Sequence, residues 1–169
     1  MLRAGAMFGR QPWTYRDHED YDPNAIGEIT QAHILCALVE EGWYVLVPWS
    51  SVKRYDLVIE DDAGRFHRVQ CKTGHIKNGS VHFPTQSLRA AKKETEWRRV
   101  AVDYVGQIEY FGVYCPDNGA VYLVPIADVP NHRLCSLRLE PPKNNQQKRI
   151  RWAREYEIKP RPLNARALR

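Results

Sequence analysis

The sequence predicts an α/β domain in which one leading helix packs on a mixed central sheet, with further helical cover later in the chain. Three observations carry this. A helical stripe opens the patterned part, apolar runs of strand length follow it, and turn signals separate those runs. At 169 residues the chain suits one domain with a real core.

The first 21 residues read as a loose arm. In "DPNAIGEITQAHILCALVEEG", 22–42, Asp22 can cap a helix, Pro23 suits its first position and Gly42 its stop. The apolar stripe runs Ala25, Ile29, Ala32, Leu35 or Cys36, and Val39, and Glu28 falls inside it. "WYVLVPW", "YDLVIED" and "FHRVQCKT" read as strands over 43–49, 55–61 and 66–73, the last two joined as a hairpin at "DAGR". "HIKNGSVHFPT" suggests a further extended piece around an Asn78-Gly79 turn. "SLRAAKKETEWRRVAV", 87–102, has a helical composition. "IEYFGVYC", "PDNG" and "AVYLVPI" make a strand, a turn and a strand. Beyond Pro130 the chain grows polar, with "EPPKNNQQKR" as a loop and "IRWAREYEI" as a short strand or helix. The expected division is an arm over 1–21, one domain over 22–158 and a basic tail over 159–169.

No apolar run approaches transmembrane length, and the N-terminal apolar patch is too short for a signal peptide, so a cytoplasmic protein is expected. Cys36, Cys71, Cys115 and Cys135 show no CxxC spacing, which argues against a zinc ribbon and for small buried hydrophobes. The net charge of +5 is modest but unevenly spread. Nine Lys or Arg stand against Glu155 and Glu157 between Lys143 and Arg169, and "SLRAAKKETEWRR" is a second basic stretch. Such patches attract polyanions, nucleic acid above all.

One constellation points to chemistry. Asp56 opens a strand whose next residues are apolar, where a carboxylate is costly unless paired or metal-bound. On the following strand Gln70 and Lys72 share one face while Cys71 points to the other. A hairpin brings Asp56, Gln70 and Lys72 to one end, and Glu28 of the helix can reach the same place. Glu28 and Asp56 supply hard oxygens and Gln70 a neutral one, a set that suits Mg²⁺ or Mn²⁺. Lys72 is then placed to orient or deprotonate a water beside a phosphate.

The ordered set of Glu28, Asp56, Gln70 and Lys72 resembles the PD-(D/E)XK nucleases, whose pattern is a helix Glu, a strand Asp and (E/Q)xK on the next strand. Tyr55 stands where Pro is usual, and Gln70 replaces the usual acid and removes one charge. The resemblance implies a restriction-endonuclease-like core, divalent metal at Glu28, Asp56 and Gln70, and hydrolysis of DNA phosphodiesters. Two branches look closest. The run from "YDLVIED" through "RVQCKTG" to "AVYLVPI" and "IRWAREYEI" resembles intron-associated homing endonucleases of the QxK type. The loop "VPWSSVKRYD" resembles archaeal-type Holliday junction resolvases, where a Ser precedes the metal-binding Asp, and Ser50 or Ser51 matches that Ser.

No zinc module, helix-turn-helix or appended reading domain is visible. Recognition of DNA shape is therefore expected, with a four-way junction as substrate and a homodimer to place two cuts on opposed strands. Part of the aromatic surface of "YFGVYC" and "AVYLVPI" would form the dimer interface. Lys53, Arg54, Lys77, Lys92, Lys93, Arg98 and Arg99 would track phosphates. The alternatives are a sequence-specific homing endonuclease, an RNA-processing nuclease and, without catalysis, a DNA-binding scaffold with a weakened metal site.

Overall fold

The computed structural model describes residues 22–50, 52–93, 96–130, 133–141 and 150–159. The expected N-terminal arm and nearly all of the expected basic tail lie outside the described residues. Helix α1 runs Pro23–Glu41. The Asp22 carboxylate accepts from the Asn24 N–H at 2.9 Å, Pro23 follows, and Gly42 closes the helix at φ 107. These are the start and stop signals of the sequence.

Ten strands follow: β1 (Tyr44–Leu46), β2 (Leu57–Glu60), β3 (Phe66–Thr73), β4 (His75–Lys77), β5 (Ser80–Pro84), β6 (Ser87–Lys93), β7 (Glu96–Val102), β8 (Tyr110–Cys115), β9 (Ala120–Pro125) and β10 (Leu134–Arg138). The central sheet has the order β1-β2-β3-β8-β9. Its pairs are antiparallel except β3 with β8, which is parallel. A mixed sheet carrying a leading helix is the predicted α/β class.

Local chemistry explains the β2–β3 hairpin. The Asp61 carboxylate accepts from the Ala63 and Arg65 N–H groups, each at 2.9 Å, and Gly64 takes φ 73. The β4–β5 hairpin turns on Asn78 at φ 51 and Gly79 at φ 68, two successive left-handed residues that match strand twist. A two-way clasp fixes the parallel register. The Glu109 N–H donates to the Arg68 carbonyl at 2.9 Å, while the Glu109 carboxylate takes the Arg68 N–H at 2.7 Å and its guanidinium at 2.5 Å.

Two cores flank the central sheet. On one face α1 buries Ile34 and Leu38 against Leu57, Ile59, Val69, Tyr114 and Val121. On the other, Phe83, Tyr104, Phe111, Tyr122, Val124 and Leu137 lead a larger cluster. There the cover is the second sheet, β10-β5-β4, with two short 3₁₀ turns at Ile126–Asp128 and Ala153–Glu155. The later helical cover expected from the sequence is absent among the described residues. Burial of Phe111, Tyr114 and Tyr122 within the chain also removes most of the aromatic surface assigned to a dimer interface.

Two further expectations are corrected. Segment 87–102 is a two-stranded antiparallel ribbon, from Ser87↔Val102 to Lys93↔Glu96. Its Ala, Lys and Glu content suggested helix, but "RRVAV" favours extended backbone. The buried line of α1 is Thr30, Ile34 and Leu38, so the stripe is turned from the one read in sequence. Ala32, Cys36 and Val39 are exposed, and so is Glu28. Thr30 disguised the true face: its buried hydroxyl is satisfied by the Thr73 hydroxyl at 2.7 Å. Of the cysteines, all free, Cys115 and Cys135 are buried as expected and Cys36 is exposed.

Gly112 lets α1 lie close. A Cβ there would stand 2.8 Å from Ile34 Cγ2 and 3.2 Å from Val69 Cγ1. Gly112→Ala is expected to destabilise the fold by about 1–3 kcal/mol through overpacking, read as a lower urea midpoint. An unchanged midpoint would mean that the helix shifts freely.

Candidate active site

Helix and hairpin meet at a cavity of about 530 Å³. Glu28, Asp56, Gln70, Cys71 and Lys72 line it, with Thr73, Pro84 and the first turns of α1. Asp56 sits just before β2, in ladder register, since its N–H donates to the Val69 carbonyl at 2.9 Å. The pairing Leu57↔Val69 sets Asp56 beside Gln70. Gln70 and Lys72 pair with Phe111 and Val113, while Cys71 packs toward the helix-side core. The QxK alternation therefore separates two polar groups from the apolar one between them, as the sequence implied. Glu28 reaches the cavity from the exposed side of α1 rather than from a packed stripe.

Second contacts hold the site rigid. Asp56 Oδ2 accepts from the Gln70 amide nitrogen and, at 2.7 Å, from the Cys71 N–H. The Gln31 amide donates to the Asp56 carbonyl at 3.3 Å, pinning helix to strand. With its nitrogen given to Asp56 and to the Cys71 carbonyl, Gln70 has Oε1 left as the atom that could hold a metal. Burial pushes the Asp56 carboxyl above its ordinary pKa, while the Cys71 N–H, the Lys72 charge and the Gln70 amide pull it down less strongly.

Among the described residues Asp56 has no ion-pair partner, and no three His, Cys, Asp or Glu side chains cluster to hold a metal alone. The donor set here is two carboxylates and an amide oxygen. A largely desolvated carboxylate with no direct ion pair, lining one cavity with a second carboxylate, fits a hard divalent ion such as Mg²⁺ or Mn²⁺.

Lys72 Nζ donates to the Tyr104 hydroxyl at 2.9 Å and lies 4.9 Å from the ring centre. Arg54 stacks on the same ring at 4.1 Å. Tyr104 was not legible in the sequence, being 32 positions from Lys72 in an unpatterned loop. Arg54 has an internal task. Its guanidinium donates to Ser87 Oγ at 2.8 Å, the Val102 carbonyl at 2.9 Å, Gln107 at 3.0 Å and the Asp103 carbonyl. It braces the root of the β6–β7 ribbon instead of offering a free phosphate contact.

The other expected residues are scattered. The Ser50 hydroxyl accepts from the Val52 N–H at 3.3 Å, a turn contact, and Ser50 does not line the cavity. Ser51 and the Lys93 side chain lie outside the described residues. Lys53 is exposed and shares a second cavity with Arg54, Arg68 and Arg89. Lys77 is exposed on β4, and Lys92, Arg98 and Arg99 are exposed on the ribbon.

Replacing Gln70 by Glu adds a charge where a metal would sit. Gln70→Glu is expected to keep cleavage with an altered metal preference, measured as rates in Mg²⁺ and Mn²⁺ series. Inactivity in both would show that the amide's bond to Asp56, not its oxygen, is what the site needs.

Comparison with known proteins bears on this geometry. The fold is similar to that of a bacterial homing endonuclease, with a TM-score of 0.59, 19% identity, and coverage of 81% of this chain and 89% of that one. At that identity the likeness speaks for the fold. A comparison with curated proteins finds no significant match. A family model for PD-(D/E)XK endonucleases matches residues 21–159, which span every element described above. The chain belongs to the PD-(D/E)XK endonuclease family.

Proposed function

We propose that this chain is a metal-dependent endonuclease that hydrolyses phosphodiester bonds in duplex DNA, cutting at chosen sequences as a homing endonuclease does. The observation that supports hydrolysis is the convergence of Glu28, Asp56, Gln70 and Lys72 on one cavity. Glu28, Asp56 and Gln70 would hold Mg²⁺ or Mn²⁺. The bound ion would polarise the phosphoryl oxygens and lower the pKa of a coordinated water. Lys72 orients the attacking water and offsets charge gathering on phosphorus. Asp56 is held in place by Gln70 and the Cys71 N–H, so it needs no reorganisation when substrate arrives.

A four-way junction is the competing substrate, and a homodimer would serve either reading. Two observations support linear duplex. Of the two loop serines behind the resolvase resemblance, Ser50 accepts a bond inside its own turn, and Ser51 lies outside the described residues. The shape-reading argument rested on the lack of a base-reading element, and the exposed ribbon is a candidate for one. The test is incubation with linear duplex, plasmid and a synthetic four-way junction in Mg²⁺, Mn²⁺ or EDTA. Metal-dependent cuts at defined duplex sequences are expected. Preferential junction cleavage would restore the resolvase reading, and inactivity on all three DNAs in both metals would leave a DNA-binding scaffold.

A further inference from the structure

Among the described residues the β6–β7 ribbon joins no other sheet, and it is exposed along most of both faces. Two-stranded ribbons are marginal in water by themselves. This one nevertheless exposes Leu88 at 63% and Trp97 at 71%. Among the described residues its anchor is at the root, where Arg54 bonds Ser87 of one strand and Val102 of the other. Seven residues per strand give a ribbon about 20 Å long. That shape fits the major groove of B-DNA, which admits a two-stranded ribbon.

The pairing register shows how the ribbon would sit. Directly opposed residues share a face. One face carries Ser87, Arg89, Arg98 and Val100, and at the root it turns to the body, where Arg89 shares the cavity with Arg54. The outer face carries Leu88, Lys92, Trp97 and Arg99. On that face Arg99 stands opposite Ala90 and two positions from both Ala101 and Trp97, and it is exposed. Arg98, on the other face, is paired with Glu96 at 3.1 Å, whereas Arg99 has no ion pair among the described residues. An arginine fork with Ala90 opposite it and Ala101 and Trp97 on either side along its strand can approach a base edge, and Arg to guanine is the commonest specific contact. Positive charge around it matches the phosphate walls of the groove.

We propose that the β6–β7 ribbon enters the major groove of duplex DNA with its outer face to the bases, and that Arg99 reads a base edge while Lys92 contacts phosphate. This rests on the DNA-cleaving function proposed above. The test is selection of bound sequences from a randomised duplex pool in EDTA, followed by affinity and salt titration on the enriched duplex. The proteins are the full-length chain and its Arg99→Ala, Arg99→Lys and Lys92→Ala variants. Because these positions are exposed, all are expected to melt with the wild type.

Arg99→Ala should lose preference at one or two base pairs, with affinity for the enriched duplex falling roughly 10- to 100-fold. Arg99→Lys keeps the charge but not the fork, so it should lose the same preference while holding affinity for the rest of the pool. Lys92→Ala should weaken all sequences about equally and lower the salt slope by about 1. If Arg99→Ala enriches the same sequences as wild type, or if wild type enriches none, the assignment fails. Specific cleavage by wild type together with unchanged preference in Arg99→Ala would overturn the ribbon's role and leave the endonuclease standing. Selective binding that depends on Arg99, without cleavage in any metal, would do the reverse.

Discussion

Asp56→Asn is expected to reduce cleavage by about a thousandfold or more, because several kcal/mol of charge stabilisation by metal go with the loss of a ligand. DNA binding should stay intact or tighten, since a negative charge facing phosphate is removed. The same variant should be the more stable protein when metal is absent. Burial raises the pKa of the Asp56 carboxyl. A group with a raised folded value contributes stability that is complete below its unfolded value, about 4 for Asp, and lost as pH rises through the folded value. As pH rises through that value the wild type takes on a charge that its surroundings only partly compensate. In EDTA the urea midpoint of Asp56→Asn should exceed that of wild type at neutral pH, with the gap narrowing in acid. Near-normal cleavage by this variant would remove Asp56 from the metal site.

Lys72→Met is expected to reduce single-turnover cleavage by about 10²- to 10⁴-fold, the range for a positioned proton-transfer or charge-offsetting group. Met keeps an unbranched apolar stem over the Tyr104 ring and removes the ammonium that donates to the Tyr104 hydroxyl. Binding in EDTA should change little, since one cation among many tracks the backbone. Lys72→Arg should not restore the rate, because a planar fork does not replace a compact ammonium at a water-sized position. A Lys72→Met enzyme within a few-fold of wild type would mean that the ammonium serves packing against Tyr104 and not chemistry.

The candidate site was legible where its residues are joined by short, regular chain. Asp56, Gln70 and Lys72 sit on one hairpin, whose turn is fixed by Asp61 and Gly64 and whose alternation is set by strand geometry. What escaped depends on packing between distant segments. Tyr104 reaches Lys72 from a loop with no periodicity, and Arg54 looks like any other basic loop residue until its four partners are seen. Thr30 hid the buried face of α1, since a hydroxyl that finds a partner across the interface breaks the apolar pattern. The ribbon failed for the opposite reason. Its alanines and lysines carry helix propensity, which decides little where pairing and a brace at the root set the backbone.

The clasp between Arg68 and Glu109 has a consequence for folding kinetics. The two residues are 41 positions apart, and they register the one parallel pair of the central sheet. Each hairpin around them can zip from its own turn in microseconds. Joining β3 to β8 must instead close that long loop, which is entropically opposed and slow. The strand bearing Gln70 and Lys72 is thus expected to acquire its second neighbour late in folding. Until then it would lack the packed backing of Phe111 and Val113, its partners in the parallel register.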